Sequence, residues 1–143
     1  MKAARGMALL TYRTFRSYKD RQTDQEEKLD DFRAASYIRY QGHKLERRFY
    51  AQCYWHMVKA LDTHDMGRGR GGAAAALERL TMPALVIAVN SDLLIPPEEQ
   101  RFLNAHLLKS TYREIESEFG HDGFLVETEK IKRAILEWRE SHF

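Results

Sequence analysis

The run Met82-Pro83-Ala84-Leu85-Val86-Ile87-Ala88-Val89 contains no charged or hydrogen-bonding side chain, and it constrains the fold more than any other stretch of the chain. A strand with one face in water alternates apolar and polar residues. A strand that does not alternate is buried on both faces, as in a parallel sheet covered by helices. The flanking sequence agrees. Ala73 to Leu80 reads as a short alanine-rich helix. Pro96-Pro97-Glu98-Glu99-Gln100 reads as a helix start, because proline suits the first turn and the acids complement its positive end. Phe102, Leu103 and Leu107 would then face the core. Tyr112 to Glu116 alternates as a short strand near a sheet edge, and Ile131, Ala134, Ile135 and Trp138 follow the i, i+3, i+4, i+7 template of a closing helix. Helix, strand, helix, strand, helix is the order of an α/β fold.

The residues up to about Asp65 are of another kind, free of proline and rich in helix formers. Leu29, Phe32, Ala35 and Ile38 recur every third residue. Leu45, Phe49, Cys53, Met57 and Leu61 recur every fourth, predicting a stripe down one helix from roughly Lys44 to Leu61. Gln41-Gly42 is the expected stop between these helices, since glycine takes the left-handed conformation that closes a helix end. The domain reading is a helical segment over residues 1–65, a flexible Gly/Arg linker over residues 66–72, and an α/β segment over residues 73–143.

The near-balance of 23 basic and 21 acidic side chains, formal charge +2, gives no reason to invoke nucleic acid or an anionic membrane. The single cysteine, Cys53, rules out an internal disulfide and suits a reducing cytoplasm. It falls within the apolar stripe, so a buried structural thiol is expected rather than a nucleophile. No apolar run approaches the roughly 20 residues needed to span a bilayer, and Thr11-Tyr12-Arg13 ends the N-terminal apolar stretch too early for a signal peptide. His43, His56, His64 and Asp65 have spacings that match no compact ligand set, so no metal is expected. Tyr37, Tyr40, Tyr50, Tyr54 and Trp55 read as packing residues of the helices rather than base-stacking platforms.

Two loops carry the chemistry. In open α/β sheets the functional loops lie at the carboxyl ends of the strands. Asp92, in Asn90-Ser91-Asp92-Leu93-Leu94-Ile95-Pro96, follows the buried strand. His121, in Gly120-His121-Asp122-Gly123-Phe124-Leu125, follows the later one. A carboxylate that accepts from one imidazole nitrogen fixes the tautomer, so that the other nitrogen can take a hydroxyl proton. Acid before histidine is also the chain order of the α/β-hydrolase triad, in which a nucleophile precedes both. The plainer alternative makes Asp92 a cap for the turn before Pro96 and His121 a turn residue.

The segment Ala4 to Thr14 (Ala-Arg-Gly-Met-Ala-Leu-Leu-Thr-Tyr-Arg-Thr) resembles a helix of the homoserine O-acetyltransferase family, a branch of the α/β-hydrolase fold. Ser36 to Gly42, Arg48 to Tyr54 and Leu61 to Asp65 are similar to its helical cap region. The loops around Asp92 and His121 resemble its acid and histidine loops. The resemblance runs along nearly the whole chain and maps onto the C-terminal part of such an enzyme, beginning after the nucleophile.

It implies the C-terminal part of an α/β-hydrolase fold with a helical cap region, and a ping-pong acyl transfer from acyl-CoA to the hydroxyl of homoserine in methionine biosynthesis. Asp92 and His121 would be catalytic. Asp122 would bind the amino group of the amino-acid substrate and Arg5 its carboxylate. Acetyl-CoA would be the acyl donor, with no resident cofactor.

No Gly-x-Ser-x-Gly occurs, and Ser17, Ser36, Ser91, Ser110, Ser117 and Ser141 all lack that flanking pattern. The chain alone is therefore expected to be inactive, its partner being a missing N-terminal half or further copies of itself. A serine hydrolase of the same fold, with water as acceptor, is the first alternative; Asp122 and Arg5 speak against it, because water needs no zwitterion clamp. A non-catalytic interaction module is the second. The strand at Ala84 to Val89 expects neighbours on both sides and has one obvious partner, around Ile115, so the chain is expected to self-associate.

Overall fold

The computed structural model describes residues 1–142. They form two compact units, and the chain passes from one to the other between His64 and Asp65.

The first unit is helical: α1 (Lys2–Tyr12), α2 (Phe15–Gln22), α3 (Arg33–Arg48) and α4 (Ala51–Asp62). Helix α1 lies against α3 with glycines at two close approaches. A Cβ on Gly6 would stand 3.1 Å from Ile38 Cγ2, and one on Gly42 would stand 3.2 Å from the Lys2 backbone. Gly42 therefore marks a close helix approach inside α3 rather than a helix stop. Helix α3 begins only at Arg33, whose backbone N–H donates to both oxygens of the Asp24 carboxylate at 3.1 and 3.2 Å. That distant acid serves as the cap that Phe32 cannot supply. Hydrogen bonding to Lys28 holds its carboxyl below the ordinary aspartate range. Leu29 thus lies outside the helix and is exposed.

The predicted helix from Lys44 to Leu61 is broken. Phe49 and Tyr50 are extended, with ψ of 136° and 143°, and separate α3 from α4. Cys53, Met57 and Leu61 are exposed, so Cys53 is not the buried thiol expected from the stripe. The break resets the helical phase between Leu45 and Cys53, and α4 buries no residue along its length.

The second unit opens on the Gly/Arg tract, which is a hydrogen-bonded turn. Arg70 N donates to Gly67 O at 2.9 Å, and Gly67 N donates to the Asp65 carboxylate at 2.8 Å. A Cβ on Gly67 would lie 2.4 Å from Ala73 N, and Gly69, Gly71 and Gly72 all have positive φ. The order is then α5 (Ala73–Leu77), β1 (Ala84–Val89), α6 (Pro97–His106), β2 (Ser110–Ile115), a 3-10 turn (Gly120–Asp122), α7 (Gly123–Val126) and α8 (Thr128–His142). Strands β1 and β2 pair in parallel, in register from Ala84 opposite Ser110 to Val89 opposite Ile115. Parallel pairing requires a crossover, which α6 supplies with Pro96 and Pro97 at its start.

The core of this unit consists of Ala76, Leu77, Val86, Ala88, Val89, Ile115 and Ala134. Leu85 and Ile87 are only half-buried, because β1 has one strand neighbour among the described residues. Phe102 points outward, against His106 with ring centroids 4.6 Å apart, and Ile135 is likewise exposed. Their faces were expected to be covered, and the two-stranded sheet is too narrow to reach them.

An ion cluster joins α6 to β2. Arg101 donates to Glu114 at 2.8 Å and to Glu98 at 3.2 Å, and Tyr112 Oη donates to Glu114 at 2.6 Å. The Tyr112 and Arg101 hydrogen bonds hold the Glu114 carboxyl below its ordinary range. Burial, and then the adjoining carboxylate, push the Tyr112 phenol up. No described helix is long and apolar enough to cross a membrane.

Candidate active site

Parallel strands place both carboxyl ends at one edge of the sheet. The last rung of the pairing, Val89 opposite Ile115, is extended by Asn90 N donating to Ile115 O at 3.0 Å. The acid loop and the histidine loop therefore leave the sheet side by side. His121 Nδ1 donates to Asp92 Oδ2 at 2.8 Å, and the Asp92 side chain is 8% exposed against 21% for His121. The other carboxylate oxygen, Oδ1, accepts from Leu94 N at 2.8 Å and Ile95 N at 3.0 Å. One buried carboxylate thus fills both roles that the sequence left open. One oxygen shapes the turn before Pro96 and the other engages the imidazole. Three donors on a buried acid keep it fully hydrogen-bonded and fixed in direction.

With its proton held on Nδ1, the imidazole carries its basic lone pair on Nε2. Phe124 stands edge-on to the ring at 5.3 Å. Gly123 permits the loop to fold tightly beneath, since a Cβ there would lie 2.9 Å from Val89 Cγ1 and 3.0 Å from Ser117 Oγ. Two further bonds tie the loops together: Ser117 N donates to Asn90 Oδ1 and Gly120 N donates to Ser91 Oγ, each at 3.0 Å. The sequence alone assigns no structural role to Asn90, Ser91, Ser117 or Gly123. The one available signal was three successive acceptor-bearing residues, Asn90-Ser91-Asp92, at a strand end.

Asp122 is half-buried in the 3-10 turn directly after His121. Arg5 belongs to the first unit. It is half-buried on α1, its guanidinium lies 5.5 Å from the centre of the Tyr12 ring, and it borders a cavity of about 270 Å³ with Gln41, Lys44 and Phe49. Among the described residues, no three His, Cys, Asp or Glu side chains converge as metal ligands.

No protein-family model matches the chain. Individual proteins do. Homoserine O-acetyltransferase of Cyclobacterium marinum is 46% identical over 132 residues, 92% of this chain. Along that 92% of its length the chain is similar to homoserine O-acetyltransferases. It spans about two-fifths of the length of the relatives it matches, 38% of the Cyclobacterium protein. The crystal structure of homoserine O-acetyltransferase from Bacillus anthracis superposes with a TM-score of 0.83 at 20% identity, over 96% of this chain and 40% of that one. Esterase E22 superposes with a TM-score of 0.77 at 15% identity, over 96% and 41%. At those identities the likeness is one of fold, and the fold is part of an α/β-hydrolase.

Proposed function

We propose that this chain supplies the acid and the histidine of an enzyme that moves an acyl group from acyl-CoA to the hydroxyl of homoserine, a step of methionine biosynthesis. The observation that carries this reading is the 2.8 Å bond from His121 Nδ1 to a buried Asp92, built at adjoining strand ends of a chain 46% identical to a homoserine O-acetyltransferase.

The mechanism has two halves. A serine from polypeptide beyond these residues attacks the thioester carbonyl while His121 Nε2 takes its proton. The tetrahedral adduct collapses, the C–S bond breaks, and the imidazolium returns the proton to the departing CoA sulfur. The homoserine hydroxyl then attacks the acyl-enzyme, again deprotonated by His121, and the serine leaves with that proton. Asp92 stabilises the imidazolium in both halves without itself being protonated. Asp122 receives the substrate ammonium by a charge-assisted contact. No resident cofactor takes part, and a cytoplasmic setting suits a substrate such as acyl-CoA.

The test mixes this chain with the serine-bearing remainder of the Cyclobacterium relative and follows CoA release from acetyl-CoA with and without homoserine. Homoserine-dependent release that His121→Ala abolishes is the expected result. Turnover by the chain alone at about 1–1,000 per second would remove the need for an external serine. Ester hydrolysis without homoserine dependence in the reconstituted enzyme would favour water as the acceptor.

A further inference from the structure

We propose that Asn90 and Ser91 are positioning residues, whose side chains hold the histidine loop in register with the acid loop so that His121 meets Asp92. The backbone ladder between β1 and β2 ends where Asn90 N donates to Ile115 O. Beyond that rung three consecutive side chains replace it. Asn90 Oδ1 accepts from Ser117 N at 3.0 Å, Ser91 Oγ from Gly120 N at 3.0 Å, and Asp92 Oδ2 from His121 Nδ1 at 2.8 Å. All three are acceptors on the acid loop, and all three donors lie on the histidine loop. Ser117 and Gly120 are buried, so water cannot readily replace a lost acceptor. Gly120 sits at φ 64°, the turn that swings the chain from β2 toward the imidazole. Within the histidine loop Ser117 Oγ accepts from Phe119 N at 3.1 Å, which tightens the segment between the first two rungs.

Register matters because of scale. A slip of one residue along an extended chain moves a side chain by roughly 3.3 Å and turns it to the other face. A hydrogen bond of 2.8 Å cannot survive that, so the imidazole would lose its fixed tautomer. Ser91 bears most of this role. Its rung is adjacent to His121, whereas the Asn90 rung is four residues upstream.

The proposal rests on reading Asp92 and His121 as the proton relay, but its test needs no nucleophile. Amide hydrogen exchange and the imidazole nitrogen resonances of His121 are followed in the full chain, in Ser91→Ala, Ser91→Thr, Asn90→Ala and a remote control, Ser110→Ala. In Ser91→Ala the Gly120 amide should exchange about 3–10-fold faster, the loss of one net hydrogen bond. The β1–β2 amides should hold, and His121 should pass from the Nδ1–H form to a mixture of tautomers. Threonine keeps the hydroxyl and should restore both signals. Ser110→Ala should change neither. Asn90 is exposed, so Asn90→Ala tests the ladder where folding is least at risk, and the Ser117 amide should quicken.

Uniformly faster exchange across the sheet would mean plain destabilisation and would overturn the proposal. An unchanged tautomer in Ser91→Ala, or failure of threonine to restore it, would do the same. An intact ladder in an enzyme that transfers no acyl group would sink the proposed function and leave this inference standing.

Discussion

Replacing Asp92 separates its two jobs. In Asp92→Asn the amide oxygen still accepts from the Leu94 and Ile95 N–H groups, now 2.8 and 3.0 Å from Oδ1. The amide nitrogen faces His121 Nδ1 as a donor, so the imidazole must move its proton to Nε2 in order to accept from it. The loss is one charge-assisted hydrogen bond, about 1.5–3 kcal/mol of stability. Asp92→Ala removes all three bonds. The two neutral amide donors, Leu94 N and Ile95 N, account for a further loss of about 0.5–1 kcal/mol each. The alanine variant should therefore unfold about 1–2 kcal/mol more easily than the asparagine variant. In the reconstituted enzyme the two should be about equally impaired. A flipped histidine tautomer costs roughly 10⁴-fold in rate, near 5.5 kcal/mol of barrier at 1.36 kcal/mol per decade. Urea unfolding followed by circular dichroism gives the stability difference, and CoA release gives the rate. Equal stability of the two variants would show that Oδ1 does not shape the turn. An asparagine variant within tenfold of the wild-type rate would show that Asp92 does not set the tautomer, and the relay reading would fall.

Three other outcomes follow from the same structure. Gly123→Ala places a methyl 2.9 Å from Val89 Cγ1 and should destabilise by about 1–3 kcal/mol despite the better helix propensity of alanine, read as a lower urea midpoint; a stabilised variant would mean that the loop is loosely packed. Glu114 has a folded carboxyl depressed below its unfolded value, so its contribution is complete above the unfolded value near pH 4.3 and is lost as pH falls through the folded one. The gap in urea midpoint between wild type and Glu114→Gln should therefore close on acidification, and a gap independent of pH would show that the Arg101–Tyr112–Glu114 cluster contributes nothing through charge. The isolated chain should sediment as oligomers, because β1 has one paired edge among the described residues and Trp55, Met57 and Leu61 stand 59%, 54% and 75% exposed. A clean monomer with one sharp melt is the contrary result.

How much was legible in the sequence differs between the two units. The unbroken apolar run at 84–89, the paired prolines at the start of α6 and the helical period of the last segment are local signals. Each fixes an element without reference to distant residues, and β1, α6 and α8 lie where those signals point. In the helical unit, spacings of three and four predict continuous faces, but Leu29 and Phe32 precede α3 and extended backbone at Phe49 and Tyr50 cuts the second stripe. Gly42 shows the deeper limit. Left-handed turn and close helix approach both call for glycine, and the sequence of α3 does not contain the Lys2 backbone that decides between them.

Sequence by itself determined that an acid and a histidine stand on two successive strand-end loops, that no serine elbow accompanies them, and that the chain is kin to an acyltransferase family. Only tertiary structure decided that Asp92 turns one oxygen to its own loop and the other to His121, and that Asn90 and Ser91 grip the facing backbone. The division has a physical cause. Helix and strand signals are written within a few residues by dihedral preference and burial. A hydrogen bond between positions 29 residues apart depends on the register of two paired strands, which no local pattern encodes.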